Sequence, residues 1–524
     1  MIIDTIDACH DLVATRNVDA LDALTADNAV FHSPVVHTPQ VGKELVLRYL
    51  TAALDGYWQE PLAVGHPLRT IPNVVLSPHL GFCAEAVYSQ FYCESIENVI
   101  AFMEGKPVRV LNPEARKAMP PCSIVAVTRI GQMRPLDGVT VVALEHVIAA
   151  PFCTRQLADL GARVIKIERP GVGDPARAYD DRVRGLASHF VWTNRSKESI
   201  TLDLKHADAR EIVRKLLATA DVLVQNLAPG AAARMGFSYD LLKDEFPRLI
   251  VCDVSGYGAD GPYRDKKAYD LLIQSESGLL SITGTPDTPS KAGCSIVDIA
   301  AGMYAYTNIL AALIHRGRTG KGCNIDVSML ESMAEWMSFP LYYAYDGATP
   351  PARAGASHAT IYPYGPFPVG DGQVVMLGLQ NEREWVVFCD KVLEQPDLET
   401  DPRFSSSTRR SNARSELYPI IVEAFSRLTA AQVVKRLDDA QIGNANMNDM
   451  NQVWHHAQLE ARQRWAEVDT PNGKILAMRP PGMPESFNAR MDPIPAIGQH
   501  TDAILGEIGY GEIEIARLRA DGAI

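Results

Sequence analysis

Asp298 stands at the head of the segment Asp298-Ile299-Ala300-Ala301-Gly302-Met303-Tyr304, in which apolar residues recur at Ile299, Met303, Tyr306 and Leu310 with helical spacing. A carboxylate at a helix N-terminus stays ionised there and can still face a bound ligand. The same position suits a plain N-cap, for which Asp is among the best residues. The pattern alone leaves both roles open. Three further stretches mix chemistry with turn residues: Glu145-His146-Val147-Ile148-Ala149-Ala150-Pro151, Glu168-Arg169-Pro170-Gly171-Val172-Gly173-Asp174, and Asn226-Leu227-Ala228-Pro229-Gly230 with Arg234-Met235-Gly236 behind it. Their backbone amides and guanidinium groups could face a phosphate-rich ligand; glycine, proline and arginine are also common in ordinary surface loops.

What must position these residues is legible in the periodicity. Strand-like runs fall at Val139 to Leu144, Arg163 to Ile167, Ser199 to Leu202, Val222 to Gln225 and Leu249 to Cys252, with amphipathic helical segments such as Phe152 to Leu160 and Ala207 to Ala220 between them. Alternation of this kind predicts an α/β fold with a mostly parallel sheet covered on both faces. Ligands on such sheets sit beyond the carboxyl ends of the strands, where the stretches above lie. No Gly-x-Gly-x-x-Gly turn joins a strand to a helix; Gly171-Val172-Gly173 runs into Asp174-Pro175.

The bulk properties narrow the function classes. A chain of 524 residues with 47% hydrophobic and 22% charged residues reads as several ordinary globular domains. A net charge of −13 argues against general affinity for nucleic acid or an anionic membrane. Nine scattered cysteines, with no Cys-x-x-Cys pair, read as reduced thiols rather than a disulfide framework or a metal site. The start, MIIDTIDACHDLV, lacks the layout of a secretory signal, and the expected location is cytoplasmic.

Upstream of residue 135 the texture changes twice. AVFHSPVVHTPQVGKELVLRYL, within residues 1–50 and containing the strand-like Ala29 to His32, resembles the opening of a polyketide-cyclase-like α+β domain. LDGYWQEPLAVGHPLRTIPNVVLSPHLGF and the helix-like stretch after it, within residues 51–134, resemble the C-terminal tail of the D-2-hydroxyacid dehydrogenases. In that family the His of the Pro-His-x-Gly turn, here His79, is the general acid/base. The dinucleotide turn, substrate Arg and orienting Glu that the chemistry also needs are missing, so His79 reads as a turn residue left by a gene fusion. Residues 114–134 read as a linker.

From Leu136 onward, LDGVTVVALEHVIAAPFCTRQLADLGARVIKIERPGVGD, SKESITLDLK, DVLVQNLAPGAAARMGFSYDLL, GYGADGPYRDKKAYDLLIQSESGLLSITG and VDIAAGMYAYTNILAALIHRGRTGKGCNIDVSMLE resemble, in order, the class III CoA-transferases, the group of formyl-CoA transferase and carnitine CoA-transferase. The tail GQHTDAILGEIGYGEIEIARLRADGAI fits as well. The resemblance implies a large Rossmann-like domain over 135–340 and 455–524, a smaller α+β domain over 341–454, and a homodimer whose chains interlock like rings. It places the nucleophile on Asp298. It places coenzyme A contacts on Ile148, Ala149, Arg169, Leu202, Asp203, Leu204, Lys205, Asn226, Leu227, Ala228, Arg234, Lys267, Ala268, Tyr269 and Asp270, with no metal and no tightly bound cofactor, coenzyme A being a substrate.

Ile148 stands where formyl-CoA transferase has a glutamine near the reacting carbonyl, which argues against oxalate as acceptor. SHATIYPYGPFPVGDGQVVMLGLQNEREW is similar to members acting on C4 and C5 dicarboxylic acids, with succinyl-CoA the natural donor. His358 could then hydrogen-bond a distal carboxylate, and Tyr362-Pro363-Tyr364-Gly365-Pro366 reads as a loop able to stabilise an oxyanion. The alternatives are an α-methylacyl-CoA racemase or isomerase of the same superfamily, disfavoured by Tyr269-Asp270 where those enzymes carry His-Asp, and a dehydrogenase-like activity from the upstream segment.

Overall fold

The computed structural model describes residues 134–524 and one short ladder upstream, Val30–Phe31 (β1) paired antiparallel with Gln40–Val41 (β2). The chain divides into two compact units, Met1–Arg129 and Ile130–Ile524. The ladder starts within the strand-like Ala29 to His32. The rest of the cyclase-like and dehydrogenase-like readings, His79 included, lies outside the described residues.

A six-stranded, all-parallel sheet organises the second unit: Thr140–Leu144 (β3), Arg163–Glu168 (β4), Lys197–Thr201 (β5), Val222–Gln225 (β6), Ile250–Ser255 (β7) and Asn324–Ser328 (β8), in spatial order β5-β4-β3-β6-β7-β8. The chain winds outward from β3 in one direction and then, from β6, in the other. That is the doubly wound order of dinucleotide-binding sheets, and it leaves a crevice between the loops that follow β3 and β6. The strands match the expected ones to within a few residues. β8 was not among them, since Asn324-Ile325-Asp326-Val327-Ser328 alternates polar and apolar residues as an edge strand does.

Successive side chains in a strand face opposite sides, so apolar runs such as Thr140-Val141-Val142-Ala143-Leu144 fill two cores at once. Val141, Ala143, Val222, Val224, Ile250 and Cys252 join one core with the helices Ala149–Asp159 (α1), Ile296–Thr319 (α4) and Met329–Trp336 (α5). Val142, Leu144, Ile165, Ile167, Leu223 and Val251 join the other with Ala207–Leu217 (α2) and, from the far end of the chain, Thr501–Glu507 (α8) and Glu512–Ala520 (α9). Fully burying each Val, Ile or Leu contributes roughly 1.5–3 kcal/mol. Among the described residues α4 is the one helix long and apolar enough to cross a membrane. Its Val297, Ala301, Ala305 and Ile309 are inside the first core, which accounts for that composition.

A separate core surrounds the antiparallel sheet Tyr364–Pro368 (β9), Val374–Gly378 (β10) and Gly443–Asn446 (β11), backed by Arg414–Phe425 (α6) and Ala430–Asp439 (α7). The chain then returns through the hairpin Trp465–Val468 and Ile475–Met478 to the edge of the large sheet. There His500 N donates to Ser199 O (2.9 Å), His500 Nδ1 accepts from Ser199 N (3.1 Å), and Thr501 Oγ1 accepts from Thr201 N (3.1 Å).

Candidate active site

The loops after β3 and β6 are stitched together at the crevice. His146 N donates to Asn226 Oδ1 (2.8 Å) and Asn226 Nδ2 donates back to His146 O (2.9 Å). The next residue, Val147, has φ 66°, a left-handed conformation that a β-branched side chain strongly disfavours. Its amide is drawn into the Asp174 carboxylate at 3.0 and 3.3 Å. This turn leads directly into α1; no side chain caps α1 and no acidic residue stands in its first turn. Uncapped amides at the positive end of a helix favour an anion.

Beneath the turn lies a buried ion network. Lys197 Nζ contacts Glu145 Oε1 at 2.6 Å, and Lys166 Nζ bridges Glu145 Oε1 (3.3 Å) and Asp174 Oδ2 (2.8 Å), with all four side chains buried. Glu168, held by Arg177 Nε (2.8 Å), accepts from Asp174 N (2.9 Å) and Ser199 Oγ (2.6 Å). Burial pushes the Glu145 carboxyl up, but Lys166 and Lys197 outweigh it and hold the group below its usual range. Burial likewise opposes ionisation of Asp174, yet Lys166 and two backbone amides bring it down to about 2. Lys197 is lowered to about 8, chiefly by its burial, with Glu145 opposing. Removing one partner of such a buried pair strands the other charge. Lys197→Met is therefore expected to cost about 3–5 kcal/mol in urea unfolding; a loss under about 1 kcal/mol would mean that Glu145 finds water in the folded protein.

α4 delivers Asp298. The helix begins at Ile296 with Ser295 as N-cap, so Asp298 lies inside the first turn and the plain-cap reading is corrected. Gly302, one turn along on the same side, is so close to α1 that a Cβ there would sit 2.6 Å from Ala149 O and 3.0 Å from Phe152 Cδ1. The face of α4 that carries Asp298 thus abuts the start of α1. The Asp298 carboxyl is pushed up to about 7, by burial first and by the charge of Asp270 second. Tyr179, from the segment after β4, is also an electrostatic neighbour: its phenol is raised by burial and then by Asp174, Asp298 and Tyr269. The sequence reading missed Tyr179, and nothing in its surroundings of Arg177-Ala178-Tyr179-Asp180 marks it out.

The expected coenzyme A contacts divide by exposure. Arg169, Lys205, Ala228, Arg234, Lys267 and Tyr269 are exposed; Asp203, Leu204, Asn226, Leu227, Ala268 and Asp270 are half-buried. Ile148, Ala149 and Leu202 are buried, Leu202 within the second core, so a ligand could meet only their backbone. Asp203 Oδ1 accepts from Lys205 N (3.1 Å), and Arg210 NH1 donates to Lys205 O (2.8 Å), which fixes that turn. His146, which the sequence reading did not assign, faces Asp174, Lys166 and Arg169 and is held below its usual range mainly by burial.

One expectation near residue 360 is changed. Tyr364 and Gly365 open strand β9 instead of lying in a loop, with Gly365 paired to Leu377. His358 stacks on Tyr364 with ring centroids 5.3 Å apart, and its Nδ1 accepts from Thr360 N (3.2 Å) and Ile361 N (3.0 Å). An accepting Nδ1 leaves the ring proton on Nε2, which remains a donor.

A family model described as "CoA-transferase family III" matches residues 136–501. Succinyl-CoA:glutarate CoA-transferase of Mus musculus is 35% identical over 397 residues, covering 75% of this chain and 91% of the relative. Succinate--glutarate CoA-transferase of Agrobacterium fabrum is 32% identical over 384 residues, covering 71% and 96%. The crystal structure of a CAIB/BAIF family protein from Brucella suis superposes with TM-score 0.64 at 32% identity, covering 72% of this chain and 100% of that one.

Proposed function

This chain belongs to CoA-transferase family III, and from that premise we propose that it moves coenzyme A from succinyl-CoA to a C4 or C5 dicarboxylate with Asp298 as the nucleophile. The observation that carries the reading is the half-buried carboxylate in the first turn of α4, set against the uncapped start of α1. The substrate class rests on the two relatives whose names pair succinate with glutarate.

The reaction divides one exchange into four displacements. The Asp298 carboxylate attacks the thioester carbonyl, forming a mixed anhydride and expelling the coenzyme A thiolate. That thiolate attacks the aspartyl carbonyl, releasing succinate and leaving coenzyme A as a thioester on Asp298. The acceptor carboxylate attacks this thioester to form a second mixed anhydride and free the thiolate again. The thiolate then takes the acceptor's acyl carbonyl, and Asp298 is regenerated with no net change in protons. Each tetrahedral oxyanion needs fixed donors, worth a few kcal/mol apiece; the Ala149 amide at the start of α1 is better suited than residues 362–366, which run into a sheet edge. Arg169, Arg234, Lys205 and Lys267 supply positive charge for the phosphates, and the backbone of Leu202–Lys205 and Asn226–Ala228 supplies hydrogen bonds. His358 Nε2 is assigned to the acceptor's distal carboxylate, beside Tyr364 and Gly365.

Only the ionised carboxylate attacks, so turnover at saturating donor should rise with pH through about 7, the value to which burial and Asp270 bring Asp298. A kcat profile already flat from pH 5 would separate this group from the rate-limiting nucleophile. The direct test is mass measurement of the intact protein after succinyl-CoA, followed by release of the adduct by a panel of glutarate, itaconate, mesaconate, malate and oxalate. We further propose a homodimer, supported by the exposed run Trp336, Phe339, Leu341, Tyr342 and Tyr345, with large and small domains divided near residues 340 and 455 and a cytoplasmic location.

A further inference from the structure

We propose that Asp270 is a positioning residue for the nucleophile and not a ligand for coenzyme A: its carboxylate closes the first turn of α4 from outside the helix and holds the Asp298 backbone in register with α1. The proposal rests on Asp298 being the nucleophile.

An α-helix leaves its first amides without intrahelical partners, and a side-chain oxygen at the N-cap normally receives one of them. Ser295, the N-cap of α4, makes no such bond. The missing acceptor comes from a residue far back in the chain. Asp270 Oδ1 accepts from Val297 N at 2.8 Å and from Asp298 N at 3.3 Å. Its other oxygen accepts from Gln274 Nε2 at 2.6 Å. Gln274 is wholly buried, and its Oε1 accepts from Ala292 N at 2.9 Å, so the strand of chain leading into α4 is tied to the same pair.

Three of the roughly four acceptor positions of a carboxylate are therefore taken by the protein itself. The oxygen that faces the Asp298 turn already accepts two bonds, so a ligand donor has no free position on it. The amide–carboxylate bonds are charge-assisted, which makes them stronger than a neutral cap. Asp270 also opens its own helix, Asp270–Glu276 (α3), directly after the exposed Tyr269. The post-β7 segment thus delivers a cap to α4 with one residue and a surface group with its neighbour.

The arrangement has a second consequence. The positive end of α4 is directed onto Asp270 as well as Asp298, and the two carboxylates lie close enough for the Asp270 charge to raise the Asp298 carboxyl. A neutral side chain with an oxygen in the same place should keep the helix closed but remove that charge.

The test uses the full-length protein with Asp270→Asn and Asp270→Ala. With succinyl-CoA and glutarate, Asp270→Ala is expected to lower kcat by roughly 10- to 100-fold while KM for succinyl-CoA stays within about twofold. Asp270→Asn should recover part of that loss and shift the rising limb of its kcat–pH profile to lower pH. Hydrogen exchange of the peptide spanning residues 296–299, measured without substrate, should be faster by ~10-fold in Asp270→Ala and less affected in Asp270→Asn. A raised KM for succinyl-CoA with unchanged kcat in both variants would overturn the proposal, as would unaltered exchange in that turn. If the wild-type protein gains no mass from succinyl-CoA, the nucleophile assignment fails, and the exchange measurement alone then decides whether Asp270 closes α4.

Discussion

Asp298→Ala is expected to abolish transfer, lowering kcat by at least roughly 10³-fold, because in the proposed covalent mechanism it removes the nucleophile and leaves only binding and oxyanion stabilisation. The intact wild-type protein should gain the mass of coenzyme A, less water, when succinyl-CoA is added, and the alanine variant should gain nothing. An adduct that persists in Asp298→Ala would move the covalent step to another side chain. Misfolding can be separated from lost chemistry by Asp298→Asn. The folded-state pKa of Asp298 is raised to about 7, whereas an unfolded Asp titrates near ~3.9. Between those values the unfolded chain has released this proton and the folded protein still holds it. Stability therefore falls as pH rises from ~4 toward 7 and does not recover above it. A neutral amide removes that loss, so Asp298→Asn should unfold at a higher temperature than wild type at pH 8 while remaining inactive. A lower unfolding temperature at pH 8 would mean that the ionised carboxylate is stabilised by partners other than those described.

Gly302→Ala should be the most damaging single-methyl change in the large sheet's helices. The added Cβ would lie 2.6 Å from Ala149 O, a backbone atom that can move only if α1 moves, and 3.0 Å from the Phe152 ring. Overpacking of this kind costs roughly 1–3 kcal/mol of stability. The larger effect should be on rate. Separating α4 from α1 shifts the Asp298 carboxylate relative to the α1 amides, and a misplacement of about 1 Å can cost ~10²-fold. kcat should fall with KM for the acyl-CoA nearly unchanged, since the exposed basic residues are untouched. Gly317 is a control on the same helix: a Cβ there meets nothing within 4 Å. Gly317→Ala should stabilise the protein by roughly 0.5–1 kcal/mol and leave turnover alone. Equal losses in the two variants would show that the glycine at 302 serves helix flexibility instead of close approach.

Several features of the site were readable in advance because they depend on residues near one another in the chain. The two-faced apolar runs of β3 and β6 imply strands buried on both sides, and the helical spacing after Asp298 located the start of α4 to within a few residues. The exposed arginines at 169 and 234 follow strands, so the post-strand rule brought them to the ligand side of the sheet. Lys166 and Glu168 were not readable. Nothing in Arg163-Val164-Ile165-Lys166-Ile167-Glu168 tells that both would be buried in an ion network; they are, because Glu145, Asp174, Lys197, Arg177 and Ser199 converge there from other segments. Tyr364-Gly365 read as a loop because of its prolines and glycine, and an edge strand tolerates both.

The sequence by itself determined local facts: most strands of the large sheet, a long helix that starts near Asp298, and the order of motifs that implies the family. Only the tertiary structure decided that the carboxylate of Asp270 caps the helix of Asp298, that Gly302 meets Ala149, and that the tail from His500 to Ile524 completes the second core. The physical reason is range. Hydrophobic period and helix signals act over a few residues, whereas capping from another segment, backbone approach at a glycine and the neutralisation of buried charge require groups distant in the chain to meet. Those meetings are set by the packing of the whole sheet and its helices.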